Sequence, residues 1–176
     1  SAFDLLGRHP ERRAKTMKTK LVFVCVGVLL VVAAASAEWQ PDARLTVDPS
    51  FSSTSFGNAR SMAAGENALH VVWFDERDGN QEIYFKRSLD GGTSWSADAR
   101  LTQNAATSKF PAVAAAGLAV HVVWEEYRAG NAEIYYKRSL DAGLTWGADV
   151  RLTSNAATSL SPCITVMDTV VNVIWF

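Results

Sequence analysis

The chain has 176 residues, with 17 Lys and Arg against 18 Asp and Glu and a formal charge of −1. From Glu38 onward the count is 11 against 16, a formal charge of −5. That balance excludes nucleic acid and an anionic membrane surface as expected partners, since both are held by basic patches.

In chain order, residues 1–16 precede Met17 and are read as upstream sequence rather than fold. Met17 is followed by Lys18 and Lys20, then by an apolar run of 15 residues, Leu21–Ala35, and the small residues Ala35-Ser36-Ala37. A basic start, an apolar centre and an A-x-A site predict a secretory signal peptide over 17–37, with cleavage before Glu38. The run is short of the roughly 20 residues that cross a bilayer. The expectation is a secreted product, extracellular or periplasmic, with no membrane contact after cleavage. Cleavage would remove Cys25 and leave Cys163 alone, so no disulfide within the chain is expected.

Beyond Glu38 the sequence repeats itself. Trp73, Trp124 and Trp175 stand 51 residues apart, and Trp73–Ser108 laid over Trp124–Ser159 gives 24 identities in 36 positions without a gap. Shorter echoes flank these units: Trp39–Thr46 matches Trp95–Thr102, and Val171–Phe176 matches Leu69–Phe74. Self-similarity at such a period is the mark of a repeat architecture.

Each unit carries four strand signals in order. A small-residue stretch comes first, "SMAAG" from Ser61 and "AVAAAG" from Ala112. A β-branched and aromatic run follows, "ALHVVWFD" and "AVHVVWEE", then an alternating one, "EIYFKRS" and "EIYYKRS". "ADARLT" and "ADVRLT" supply the fourth. Polar loops bearing Gly and Asn separate the second and third, as hairpin connections require. Four antiparallel strands per 51 residues predict an all-β fold of propeller type, because a β-sandwich does not repeat four-strand units at this identity. The units run over 58–102 and 109–153, with a partial blade at 160–176 and a closing outer strand at 39–46. Two full units cannot close a ring, so the partial propeller over 38–176 is expected to be the N-terminal part of a longer one.

Between the third and fourth strands lies "SLDGGTSW" (Ser88–Trp95), repeated as "SLDAGLTW" (Ser139–Trp146). Asp90 and Asp141 suit hydrogen bonds from turn amides, and Gly92 and Gly143 suit backbone angles that a Cβ resists. Ser88, Ser139, Ser94 and Thr145 offer hydroxyls to the same network, while Trp95 and Trp146 bring large rings to where sheets meet. A pattern present in every unit is read as a structural clasp, not a catalytic centre. These boxes resemble the Asp-box, or BNR, repeats of the sialidase superfamily, and the resemblance extends from Trp39 to Phe176.

That resemblance implies a central site with three arginines gripping a substrate carboxylate, an Asp acid/base and a Tyr–Glu pair. The first arginine belongs to an R-I-P motif, where the second unit reads "KFPAV", with Lys109, and the first reads "NARSM", with Asn58 and, two residues on, Arg60. The loop Asp75-Glu76-Arg77-Asp78 resembles the family's D-x-R followed by an acid; the second unit has Glu126-Tyr127-Arg128-Ala129. The candidate acid/base is therefore Asp78, and the candidate substrate-binding residues are Arg60, Asp75 and Arg77. Recurrence of Arg77 as Arg128 and of Asp75 as Glu126 also fits an internal loop ion pair. His70 and His121 recur too and are read as strand residues, not metal ligands. Lys86 and Lys137 are read as solvated edge charge. No metal or cofactor is expected.

Two functions follow. The first is a non-catalytic propeller that binds glycans or extracellular and cell-surface proteins, or serves as a scaffold. The alternative is an exo-α-sialidase-type glycoside hydrolase whose remaining catalytic residues lie in further blades.

Overall fold

The apolar and alternating runs form strands, and the computed structural model describes residues 42–54 and 60–176. The upstream segment 1–16, the expected signal peptide 17–37, Trp39–Pro41 and Asn58 lie outside the described residues. Among the described residues there are eleven strands and no helix, hence no helix long and apolar enough to cross a membrane.

Five strands build the first sheet: β1 (Ser52–Ser53), β2 (Met62–Ala64), β3 (Leu69–Asp75), β4 (Glu82–Ser88) and β5 (Ala99–Arg100). The second sheet runs β6 (Ser108–Ala116), β7 (Ala119–Glu126), β8 (Glu133–Ser139) and β9 (Val150–Arg151), in that order. β10 (Cys163–Met167) and β11 (Val170–Ile174) form a third, two-stranded sheet. Every pairing is antiparallel and no sheet closes on itself. The repeat holds in the ladders: Val71 faces Lys86 as Val122 faces Lys137.

One register departs from the gap-free superposition. Ser53 pairs with Phe74 and Met62 with Val71, whereas Lys109 pairs with Glu125 and Val113 with Val122. Nine steps therefore separate the first two where four separate their counterparts, an insertion of five residues. The first sheet takes in Ser52–Ser53, upstream of the expected start at 58. The structural counterpart of Lys109 is Ser53, not Asn58.

Alternation along β7 sends its side chains to two different neighbours. Val120, Val122 and Trp124 pack with Val72, Phe74, Ile83 and Phe85 of the first sheet. Val123, on the other face, joins Ala112, Ala114, Ile134 and Ile164 against the third sheet. The small residues of β2 and β6 let these strands approach, and Val113 N donates to Arg60 O across them. Three sheets thus stack face to face in chain order.

The contacts between stacked layers repeat as well. Lys137 Nζ donates to Leu101 O, and Lys86 Nζ donates to Leu45 O at 2.8 Å. Arg44, Arg100 and Arg151 each donate Nε to the carbonyl two residues on. Asp42–Thr46 therefore lies on the first sheet as Asp98–Thr102 lies on the second, although the described part of this expected closing strand forms no ladder. Lys86 and Lys137, expected as solvated charge, instead bridge layers, each also pairing with an aspartate, Asp98 or Asp149.

Candidate functional site

The boxes occupy the β4–β5 and β8–β9 turns, at one end of each sheet. Asp90 Oδ1 accepts from Ser88 Oγ at 2.7 Å and Ser94 N at 2.8 Å, and Oδ2 from Ser94 Oγ at 2.6 Å. Asp141 accepts from Ser139 Oγ at 2.6 Å and from Thr145 N at 2.8 Å and Thr145 Oγ1 at 2.5 Å. Ser88 and Ser139 in turn accept from Gly92 N and Gly143 N, both at 2.8 Å. Hydroxyl and amide donors, led by Ser94 in one box and Ser139 in the other, hold both carboxyls at a pKa of about 2. An acid held ionised by its own turn is a clasp. Trp95 Nε1 donates to Gly92 O at 3.1 Å, whereas Trp146 sets its ring edge-on to Phe85 at 5.0 Å.

At the opposite end lie the β3–β4 and β7–β8 turns, with the sequence-derived site candidates. Asp75 is buried and accepts from Ser52 Oγ, Trp73 Nε1, Arg77 N and Arg77 Nη2. Burial alone would raise its carboxyl, but these donors, Arg77 foremost, hold it well below the usual carboxylate range. Arg77 also pairs with Asp98 at 2.8 Å. The second unit copies the arrangement: Trp124, Ser108 and Arg128 donate to buried Glu126, and Arg128 pairs with Asp149 at 2.7 Å.

Three of the four candidates share the β3–β4 turn, and Arg60 reaches the third sheet instead. Asp78 accepts from Tyr84 Oη and pairs with Arg100 at 3.0 Å, Arg100 also reaching Glu82 at 2.9 Å. Arg60 donates Nη1 to Ile164 O of the third sheet at 2.5 Å. Asp75 pairs with Arg77, whose guanidinium lies 4.5 Å over the ring of the same Tyr84 that donates to Asp78. His70 and His121 are buried strand residues. His121 Nδ1 stands 2.7 Å from Tyr136 Oη, whereas both nitrogens of His70 lack a partner among the described residues. Among the described residues no group of His, Cys, Asp and Glu is arranged to hold a metal ion.

A cleft of about 570 Å³ opens beside these turns, lined by Glu76, Gly79, Asn80, Gln81, Thr107, Lys109 and Tyr127. This is the size range of small-ligand sites, roughly 300–1,000 Å³. Its wall from the first unit is held by Asn80, whose Nδ2 donates to Asn104 O at 3.0 Å and Ala106 O at 2.8 Å. Gln81 Nε2 donates to Glu76 Oε1 at 2.8 Å. On the other wall the Lys109 ammonium lies 4.7 Å from the Tyr127 ring centre and 4.9 Å from that of Phe110. Behind it, buried Glu125 accepts from Ser161 N at 2.7 Å and Tyr127 Oη at 3.3 Å. Burial pushes the Glu125 carboxyl up, against the lowering effect of the Ser161 amide and Lys109.

Repeat comparison singles out the same place. Of the twelve positions at which the two superposed units differ, five lie between Phe74 and Gln81, on this end of the hairpin. Glu76 and Tyr127 are counterparts of each other, as are Phe74 and Glu125, and both members of the first pair line the cleft. Where Glu125 sits, Phe74 packs edge-on to Phe110 at 5.5 Å. Glu76, Gln81, Glu125 and Tyr127 were not among the sequence-derived candidates, and this disagreement between units is the signal that finds them. Comparison of the chain with protein-family models, curated proteins and solved structures finds no match in any of the three.

Proposed function

We propose that this protein is a non-catalytic glycan-binding module, exported through the 17–37 segment and built as part of an Asp-box β-propeller of sialidase type. The observation that carries the reading is the cleft at Lys109 and Tyr127, formed where the two units cease to agree. Parts that every unit needs for folding stay alike, and a binding site has no reason to. One aromatic side chain, Tyr127, set among polar ones suits a carbohydrate, whose apolar ring face can meet the Tyr and whose hydroxyls can meet the polar groups.

The propeller reading is supported by the constant relation between layers. Leu45 meets Lys86 as Leu101 meets Lys137, so Asp42–Thr46 stands where the fourth strand of a preceding unit would stand. Small-residue strands on one side and short polar ones on the other agree with a crowded centre and an open rim.

A hydrolase remains the second reading, and Glu125 favours it. A buried carboxyl with a raised pKa beside a cleft has the properties of a proton donor. The full chain, tested on a glycan array and on a fluorogenic sialoside, separates the two. Binding without turnover is expected. Turnover that disappears in Asp78→Asn or Glu125→Gln would overturn the non-catalytic reading.

A further inference from the structure

We infer that the sugar taken by the cleft is neutral and hydroxyl-rich rather than acidic, an inference that rests on the glycan-binding reading. The first ground is the distribution of cations at this end of the molecule. Arg77 is paired with Asp75 and Asp98, Arg128 with Glu126 and Asp149, and Arg100 with Asp78 and Glu82. No guanidinium fork is left among them to meet a ligand carboxylate in the two-bonded way that makes arginine suited to it.

Among the described residues lining the cleft, Lys109 alone brings a cation, and its charge is already opposed. It makes no ion pair among the described residues, yet it faces buried Glu125 directly across the β6–β7 ladder, and Glu76 adds an exposed carboxylate to the lining. The lining itself holds one ammonium and one carboxylate, with Glu125 buried behind the ammonium, so an incoming anion finds no excess of positive charge.

The second ground is the direction of the hydrogen bonds. Asn80 spends its Nδ2 on the Asn104 and Ala106 carbonyls and the Glu82 carboxylate, which can only accept, so its orientation is fixed and Oδ1 is what remains. Gln81 spends its Nε2 on the Glu76 carboxylate, which leaves Oε1. Among the residues lining this wall, the amide nitrogens of Asn80 and Gln81 are engaged, and what they and Glu76 have left is acceptor oxygen. A sugar hydroxyl can donate to each of them. A carboxylate or sulfate has nothing to donate and is rejected by the same wall, which is how a site excludes a wrong ligand.

The test is a glycan array probed with the full chain, carrying neutral oligosaccharides paired with sialylated, sulfated and uronate counterparts, followed by titration of lactose against 3′-sialyllactose. Binding to neutral members, weakened roughly tenfold or more by an added anionic group, is expected. Glu76→Gln, in an exposed loop, removes a wall charge and should narrow the gap by improving the acidic ligand. Equal or tighter binding of the acidic members overturns this inference and leaves the binding reading standing. Silence across the whole array overturns the binding reading itself and this inference with it.

Discussion

The Phe85 ring closes over Gly143 of the next sheet so tightly that a Cβ at that glycine would stand 2.4 Å from Phe85 Cζ. The adjacent Trp146 meets the same ring edge-on at 5.0 Å. The box of one unit is thus the clasp on the third strand of the unit before it. Gly143 also has φ +85°, a left-handed angle that disfavours a side chain.

Its counterpart makes a matched control. Gly92 has φ +96° but its nearest neighbour, Leu69, would lie 3.5 Å from a Cβ. Gly92→Ala should destabilise by about 1–2 kcal/mol through backbone strain alone. Gly143→Ala should add about 1–3 kcal/mol of overpacking. Urea unfolding of both variants checks the difference, and equal losses would remove the clasp from between the sheets.

Removing the partner of a buried carboxylate should be costly. Arg77→Ala leaves Asp75 fully enclosed with its charge unopposed, and a loss of about 3–5 kcal/mol is expected. Asp78→Asn alters a partly exposed ion pair with Arg100 and should change stability by about 1 kcal/mol or less. Thermal melts of the two variants read the contrast. A large loss in Asp78→Asn would mean that its loop anchors the sheet.

His70 gives the fold an acid sensitivity. Burial lowers its pKa, assisted by Arg87 directly across the β3–β4 ladder, and neither ring nitrogen has a partner among the described residues. Below the ordinary histidine value of about 6.5 the unfolded chain takes up a proton that the folded chain refuses. Stability is therefore retained at neutral pH and falls as pH drops through that value. His121, lowered by burial and Arg138, adds in the same direction. Unfolding free energy measured between about pH 7.5 and about pH 5 should fall in the native chain and fall less in His70→Gln. An unchanged slope in the variant would assign the sensitivity elsewhere.

The boxes respond only in stronger acid. With Asp90 and Asp141 held at a pKa of about 2 by their hydroxyl and amide donors, their contribution persists from neutral pH downward. It is lost as pH falls from about 4 towards the folded value. Carboxyl resonances followed by NMR titration check both residues, and a midpoint near the ordinary aspartate value would show that the clasp hydrogen bonds do not form.

Much of this architecture was readable because strand chemistry and the 51-residue period pointed the same way. "EIYFKRS" and "EIYYKRS" became β4 and β8 residue for residue, since alternation, aromatic content and flanking turns all agreed. Ser52–Ser53 carried no such pattern: two polar residues pair with β3 because Ser52 caps buried Asp75. That hidden strand is also why a gap-free overlay misassigned the counterpart of Lys109. Lys86 looked solvated because a charged residue at a strand end usually is, and only the next layer reveals the carbonyl that it meets. The cleft was illegible to motif reasoning, which sought arginines where Lys109 stands. Tyr127 and Glu125 were nevertheless visible as places where two otherwise like units disagree.

The central claim is that folding resides in what the units share and binding in what they do not. It is tested most directly by backbone and side-chain NMR of the full chain titrated with a neutral oligosaccharide that the array identifies. Shift changes should concentrate at Glu76, Gln81, Thr107, Lys109 and Tyr127 and leave both boxes untouched. Perturbation centred on Ser88–Trp95 or Ser139–Trp146, with the cleft silent, would contradict it.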